Sequence, residues 1–334
     1  MHTVPGRDPR SRSHGWNAAL TLCLAACALD PDPALYAADR AVVVASPLAA
    51  PRLSFFHAAL LVPPLQTAAT LTAGTGAIRL GSDHSFSRSE RSVDGIPNRF
   101  DGGFHDWIAP ELRLGVTSGL EIAARTAVSG WDEHLDHFSL FDHDGAFLVR
   151  DESNLANGKA SQRHENVASL DLSAKVRLLA DDAGTATTSL ALASRLPIAR
   201  EGDLTNAGTE EVAATALETL RLGDVTLHAN AGYVVPFGHQ TLFTPGEPIE
   251  LDAFAQGGVG AALAIEPQCA LVLQVEANGS AFDDVPFLHR APLTAVAGVR
   301  YAGTRTFVEA GVGAGLDQDA AYRFEVHVSF SWLL

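Results

Sequence analysis

Hydrophobic and polar side chains alternate residue by residue along much of this chain, most clearly in its last thirteen residues, YRFEVHVSFSWLL. In an extended chain successive side chains point to opposite sides, so this segment has one apolar and one polar face. Twelve segments share the pattern, near 67–81, 105–116, 119–129, 167–179, 186–197, 211–222, 224–235, 250–265, 269–280, 291–301, 305–314 and 322–333. The pattern predicts twelve β-strands.

The connections between these segments alternate between short and long. The short ones are TSG, ADDAGTA, GD, EPQ and AGTR, whereas about 23 residues near 82–104 and about 37 near 130–166 form the longest. Short periplasmic turns, long external loops and an even strand count are typical of transmembrane β-barrels. No segment after the N-terminal region has the roughly 18 continuous apolar residues of a membrane helix. We therefore predict an all-β fold, a transmembrane antiparallel β-barrel of about 12 strands with short periplasmic turns and long extracellular loops.

A soluble antiparallel sandwich with its apolar faces turned inward would also show alternation. Twelve long strands, however, supply more apolar area than one sandwich core can use. In lipid, a closed sheet pairs every backbone N–H and C=O without leaving an edge. We therefore expect lipid to meet the apolar face of each strand and the lumen to meet the polar face. The sixth segment fits least well, because Glu218 interrupts its apolar face.

The N-terminus predicts export. Three arginines precede a short apolar core, NAALTLCLAACAL, which indicates a signal peptide over residues 1–28. LAAC at 24–27 also resembles a bacterial lipobox, which would leave Cys27 as a lipidated first residue. Both alternatives place the mature protein beyond the inner membrane.

Residues 29–66 are predicted to form either a periplasmic N-terminal segment or a plug in the lumen, ahead of a barrel over 67–334. In the second alternative Phe55 and Phe56 would constrict the lumen. Once the signal peptide is removed only Cys269 remains, so no intrachain disulfide can form.

Net charge excludes one class of partner. The chain has 23 lysines and arginines against 39 acidic residues, a formal charge of −16. Nucleic acid is therefore not an expected partner, because binding to phosphates needs a basic surface.

Two resemblances to known proteins support a place in the outer membrane. The final strand resembles the C-terminal insertion signal of bacterial outer-membrane proteins, although Trp332 is followed by two leucines instead of standing last. Residues 107–130, WIAPELRLGVTSGLEIAARTAVSG, with WDEHLDHFSLFDHDGAFLVRDESN and PLTAVAGVRYAGTRTFVEAGVGAGL, resemble an uncharacterised family of proteobacterial outer-membrane barrels. The resemblances imply location in the outer membrane, contact with its lipid and insertion by the barrel assembly machinery through the C-terminal strand. They imply no established activity.

The polar faces of the strands supply the first candidate site. Their charged side chains would project into the lumen as a mixed-sign ring, either as a selective channel for a small solute or as a salt-bridged plug of a narrow barrel. No cofactor is implied. The predicted lumen residues are Glu111, Arg113, Glu121, Arg125, Asp171, Lys175, Arg177, Arg195, His228, Glu276, Arg300, Glu309, Arg323, Glu325 and His327.

The second candidate is the extracellular loop WDEHLDHFSLFDHDG at 131–145. Trp131, Leu135 and Phe138 recur at the spacing of one helical stripe, which predicts a short amphipathic helix over the barrel mouth. The loop is rich in aspartate and histidine, but it lacks the spacing of a calcium loop and of an HExxH site. We therefore predict an acidic loop without a metal.

Function remains open between three classes. The first is a channel or binding barrel for a small solute, the second a lipid-modifying hydrolase or acyltransferase, and the third a structural envelope barrel. No GxSxG motif is present, and the pairs available to an enzyme, such as His84 with Ser85 or Ser87 and Asn278 with Ser280, are weak signals. We therefore predict that the protein is not an enzyme.

Overall fold

A computed structural model gives the fold of the chain. The structure describes residues 43–44, 46–48, 63–93, 96–132, 139–141, 147–150, 163–198, 210–237, 239–240, 249–281, 293–316 and 324–334.

Twelve long strands account for most of the described residues. They are β1 Gly76–Val93, β2 Ile96–Thr117, β3 Leu120–Asp132, β4 Arg163–Ala180, β5 Ala186–Pro197, β6 Glu210–Leu222, β7 Val225–Phe237, β8 Phe254–Glu266, β9 Cys269–Asn278, β10 Leu293–Ala302, β11 Thr306–Gly315 and β12 Phe324–Leu333. Two pairs of short strands lie beyond them, at Ser139–Phe141 with Phe147–Arg150 and at His239–Gln240 with Ile249–Glu250.

The twelve strands form one closed antiparallel barrel. Each strand pairs with its sequence neighbours, and β1 pairs with β12, from Ala77 opposite Leu333 to Phe86 opposite Phe324. Closure leaves no edge strand among the twelve, so the backbone of every barrel strand has a partner on both sides. Even a ten-residue strand, at about 3.3 Å per residue and a tilt near 40°, rises roughly 25 Å, the height of the apolar band of such barrels.

Burial along the strands separates an apolar outside from a polar inside. On the outer face Val259 is 59% exposed and Leu192 51% exposed, whereas on the inner face Arg300 is 3% exposed and His327 0%. A soluble protein would show the opposite arrangement. The final strand follows this rule, with Phe324, Val326 and Val328 outside, so the apolar faces point outward as the prediction requires. Among the described residues no helix is long and apolar enough to cross a bilayer.

The first strand differs from the prediction. It begins at Gly76 instead of 67, and it continues as a hairpin with β2 through residues for which the sequence predicts a long loop. Residues 67–72 lie inside the barrel instead of in its wall, and Ala68 and Leu71 bind inner-wall side chains there. Their alternation was misleading because residues 67–72 are all buried or half-buried, so their apolar and polar positions do not lie on an outer and an inner face.

The tight turns lie where the short connections predicted them. β6 and β7 are joined by Gly223 and Asp224, and Gly223 has a φ of 65°, which residues other than glycine adopt with difficulty. In the turn between β4 and β5 the Ala186 amide donates to Asp181 at 2.9 Å and the Thr185 hydroxyl donates to the same carboxylate. These bonds hold the pKa of Asp181 below its usual value.

Candidate functional site

Most of the predicted lumen residues lie on the inner wall. Buried side chains there are Glu121, Lys175, Arg195, His228, Glu276, Arg300, Glu309, Glu325 and His327. Half-buried ones are Glu111, Arg113, Arg125 and Asp171. Arg177 is exposed near the end of β4, beside a bulge, and Arg323 lies outside the described residues.

One chain of charges crosses the inner faces of β1 to β4. Arg79 contacts Glu111 at 2.7 Å, Arg113 contacts Glu121 at 2.7 Å, and Lys175 lies 3.3 Å from the same Glu121 oxygen. Each carboxylate thus has a cation on the neighbouring strand. These charged side chains all point into the lumen, because residues opposite each other on antiparallel strands lie on the same face of the sheet.

A second pair continues this chain onto β5. The Arg195 guanidinium donates to both oxygens of Asp171, at 2.8 and 3.0 Å. Bidentate contacts of this kind fix the orientation of both groups.

A third cluster lies where the barrel closes, on β10, β11, β12 and β1. His327 lies 2.5 Å from Asp83 on one side of its ring and 2.9 Å from Glu309 on the other. Ser329 donates to Glu309 at 2.7 Å, and Arg300 donates to the second Glu309 oxygen. The first and last strands are therefore joined by side chains as well as by backbone hydrogen bonds.

The rest of the wall, on β6 to β9, is different. Apart from Glu211 and Glu276, its buried polar side chains are mostly neutral and carry hydroxyl, amide or imidazole groups. They include Thr215, Thr219, Thr226, His228, Asn230, Gln256, Gln274 and Asn278. The lumen therefore has one side rich in ion pairs and an opposite side of hydrogen-bonding groups.

Part of the chain ahead of β1 lies inside this lumen. We call it the inner segment, and its described residues are 43–44, 46–48 and 63–75. Its later part is held by β3 to β6: Lys175 donates to the Ala69 carbonyl at 2.7 Å, and the Leu71 amide donates to Glu121 at 2.9 Å. The Ala68 amide donates to Thr219 at 2.8 Å.

The earlier part of the inner segment is held by the opposite wall. The Arg300 guanidinium donates to the carbonyl oxygens of Val43 at 2.6 Å, Ser46 at 2.5 Å and Pro47 at 2.7 Å. The Gln274 amide binds both backbone groups of Leu48, at 3.0 and 3.1 Å. Polar groups of the segment's backbone thus find partners on the wall, as buried backbone groups require.

Apolar side chains seat the inner segment as well. Leu48 packs in one cluster with Ala262, Val272 and Val296, and Ala68 packs in another with Ala191 and Leu217. Val44 and Leu71 are buried with a third set at the end of the barrel where the short turns lie, formed by Ala77, Ala270, Ala302, Phe307 and Leu333. In barrels of this class that end faces the periplasm. The inner segment therefore fills the periplasmic end of the lumen.

Little space remains between the segment and the wall. A cavity of about 80 Å³ lies among Pro47, Leu65, Arg79, Glu111 and Arg300. Such a volume holds a few water molecules.

Several residues of the inner wall were not predicted. Asp83 binds His327, and Ser189, Thr219 and Gln274 hold the inner segment. Asp83 was missed because the sequence predicts a loop at its position. A signal for the segment does exist in the sequence: Leu217, Phe307 and Leu333 are large apolar residues on the inner, polar faces of their strands. Apolar side chains on a polar inner wall indicate that something packs against them.

The other candidate sites gain little from the structure. Trp131 belongs to β3 instead of a helix, because its backbone pairs with both neighbouring strands, and Leu135 and Phe138 lie outside the described residues. His84 is exposed and Ser85 is buried, so these adjacent residues point to opposite faces of β1 and do not form a pair. Cys27, Phe55 and Phe56 also lie outside the described residues. Within the described part of the chain, no group of three or more metal-ligating side chains is arranged to hold an ion.

Comparison with known proteins gives matches of structure alone. No family model and no curated protein matches the chain. The COG4313 outer membrane channel from Pseudomonas putida F1 is similar over 80% of this chain and 98% of that chain, with 13% identity and a TM-score of 0.59. The NanC porin is similar over 77% and 98% of the two chains, with 9% identity and a TM-score of 0.47. The Pseudomonas putida toluene transporter TodX is similar over 84% and 97%, with 9% identity and a TM-score of 0.42.

At these identities the likeness concerns the fold. The first of these structures shares the barrel architecture over nearly its whole length. The resemblance to an uncharacterised family stays a prediction. Closure of the sheet, its apolar outer face and this shared architecture together establish the chain as a twelve-stranded β-barrel of the bacterial outer membrane.

Proposed function

We propose that the protein is an outer-membrane channel for small polar solutes, and that the inner segment closes the periplasmic end of its lumen. One observation carries the proposal: wall side chains bind the backbone of a separate stretch of chain, as Lys175, Gln274 and Arg300 do. A lumen filled only by its own wall side chains cannot open without rebuilding the barrel. A lumen closed by a separate segment opens when that segment leaves.

The chemistry of the wall supports a polar solute. Ion pairs line one side, from Arg79 to Asp171 and Arg195, and neutral donors and acceptors such as Gln256 and Asn230 line the other. Opposed charges and hydrogen-bonding groups along a pore select solutes by charge and size. They also replace the hydrogen bonds to water that a polar solute loses when it leaves bulk solvent.

Mechanistically, opening requires that the inner segment exchange its contacts for water. Its backbone carbonyls lose Lys175 and Arg300, and its apolar side chains leave the clusters around Leu217 and Phe307. Each net hydrogen bond contributes about 1 kcal/mol. The segment is therefore bound firmly enough to keep the lumen closed at rest. A solute or a partner can still replace the individual interactions that hold it.

Replacement of Gly115 by alanine tests this proposal without removing any side chain. A Cβ atom at this inner-wall position would lie 2.1 Å from the Thr72 carbonyl oxygen and 2.9 Å from that of Leu71, both in the inner segment. Because the collision is with the segment, the segment has to move. We expect single-channel recordings in planar bilayers to show more frequent and larger openings for Gly115→Ala than for the unchanged protein.

Gly81→Ala is the matched control. Gly81 also lies on the inner wall, but a Cβ atom there meets no atom closer than 3.8 Å, so its conductance should equal that of the unchanged protein. A folded Gly115→Ala barrel that opens no more than Gly81→Ala would contradict the proposed channel and favour a structural barrel.

A further inference from the structure

One carboxylate lies on the outer, lipid-facing side of the barrel. Past Glu210 at the extracellular end of β6, the exposed residues are Val212, Ala214, Ala216, Glu218, Leu220 and Leu222. Thr188 on β5 donates to a Glu218 oxygen at 2.7 Å. Within the described part of the chain no lysine, arginine or histidine forms an ion pair with Glu218. An ionisable side chain in contact with lipid is costly and indicates a function.

The outer surface beside Glu218 is concave. Glu218 pairs with Ala229, and the same row continues through Val259, Val275 and Ala295 on the following strands. The row next to it is also made of small residues, with Ala216 opposite Ala231 and Ala231 opposite Gly257. These side chains leave two adjoining hollows of about 470 and 850 Å³, which share Glu218, Ala229, Val259 and Val275. We call them together the Glu218 groove.

The groove runs obliquely across the membrane. It begins near the periplasmic ends of β5 and β6, since Thr188 follows Ala186 by two residues and Glu218 precedes Leu222 by four. It extends to Phe324, the first residue of β12, at the opposite end of the barrel. Glu218 lies roughly 10 Å from the periplasmic end of β6, at about 3.3 Å per residue and a tilt near 40°. It thus lies in the leaflet that faces the periplasm.

Charge and shape identify the occupant. The groove is lined by apolar side chains, which match an acyl chain, and its periplasmic end carries a carboxylate and a hydroxyl. An anionic head group would be repelled there, whereas an ammonium group would be attracted and could donate hydrogen bonds. We propose that the Glu218 groove binds a phospholipid with a primary-ammonium head group, with one acyl chain along the groove and the ammonium against Glu218. This site is separate from the lumen and does not depend on the proposed channel.

Lipid competition observed by native mass spectrometry tests the site. The purified barrel would be mixed with equal amounts of phosphatidylethanolamine and phosphatidylglycerol that carry identical acyl chains. We expect the ethanolamine lipid to bind in preference by roughly threefold, which is the effect of one partly exposed ion pair. Glu218→Gln should bind the two lipids equally, and Ala229→Phe should lower binding of both by filling the groove.

Glu210→Gln is the matched control, since Glu210 is an exposed carboxylate at the other end of the same strand. It should keep the preference of the unchanged protein. Each variant would first be checked for a folded barrel by its shift on unheated electrophoresis gels. Equal binding of the two lipids to the unchanged protein would overturn the proposal. A dimer that is lost in Glu218→Gln would also overturn it, because the groove would then receive a second copy of this chain.

Discussion

Deletion of residues 29–72 is expected to convert a channel that is closed at rest into one that conducts continuously. The deletion removes the inner-segment residues that fill the periplasmic end of the lumen and leaves β1 intact from Gly76. A twelve-stranded barrel lies between filled eight-stranded barrels and open porins, so its emptied interior admits water and ions. We expect single-channel conductance in planar bilayers to rise at least severalfold and to stay high.

The same deletion is expected to let small solutes enter liposomes. Liposomes that contain the shortened barrel should swell in small sugars and amino acids faster than liposomes with the full protein. The barrel's own hydrogen bonds close it between β1 and β12 without the segment, so folding can be checked separately by gel shift and circular dichroism. Unchanged conductance from a folded, shortened barrel would show that the inner segment is not what closes the lumen.

Replacement of Arg300 by methionine is expected to have two effects: it lowers the free energy of unfolding of the barrel, and it opens the channel. Arg300 donates to Glu309 and to three carbonyl oxygens of the inner segment, from Val43, Ser46 and Pro47. Breaking a buried ion pair by removing one partner costs about 3–5 kcal/mol. Urea unfolding in lipid vesicles should show a loss of that order, and bilayer recordings should show longer openings.

Arg195→Met separates these two effects. Arg195 is equally buried in a bidentate pair with Asp171, but the structure shows no bond from its guanidinium to the described part of the inner segment. It should therefore lower the free energy of unfolding while resting conductance stays unchanged. Equal openings in both arginine variants would mean that a weakened wall, and not a released segment, opens the lumen.

Strand positions could be predicted from the sequence because the two faces of each strand meet different solvents. Alternation placed β5 at 186–197, its observed bounds, and placed β7, β9, β10, β11 and β12 within a few residues. The same rule placed Glu121, Lys175 and Arg300 on polar faces, and in the structure they lie on the inner wall. Period-two patterns carry this information because lipid favours apolar side chains on the outer face and a lumen favours polar ones on the inner face.

The inner segment could not be predicted in the same way. The alternation at 67–75 predicts a wall strand that the structure does not have, and the bonds of the segment join residues that are far apart in sequence, such as Arg300 with Val43 and Gln274 with Leu48. Its backbone supplies most of the groups that the wall binds, and backbone groups are the same in every residue. Only the inward-facing Leu217, Phe307 and Leu333 gave a sign of it. Glu218 could be recognised in the sequence as an exception on an apolar face. Its contact with Thr188 and the groove beside it could not, because they depend on how neighbouring strands are aligned.

A reversible crosslink between the inner segment and the wall tests most directly whether the segment gates the lumen. Ala68 in the segment packs in one buried cluster with Ala191 on β5, so a disulfide between cysteines at both positions, in a Cys269→Ser background, would hold the segment against the wall. Conductance of the oxidised protein should remain at the closed level, and addition of a reductant to the same bilayer should restore the occasional openings of the unchanged protein. Openings that are the same before and after reduction, with the crosslink confirmed by mass, would contradict a gate formed by the inner segment.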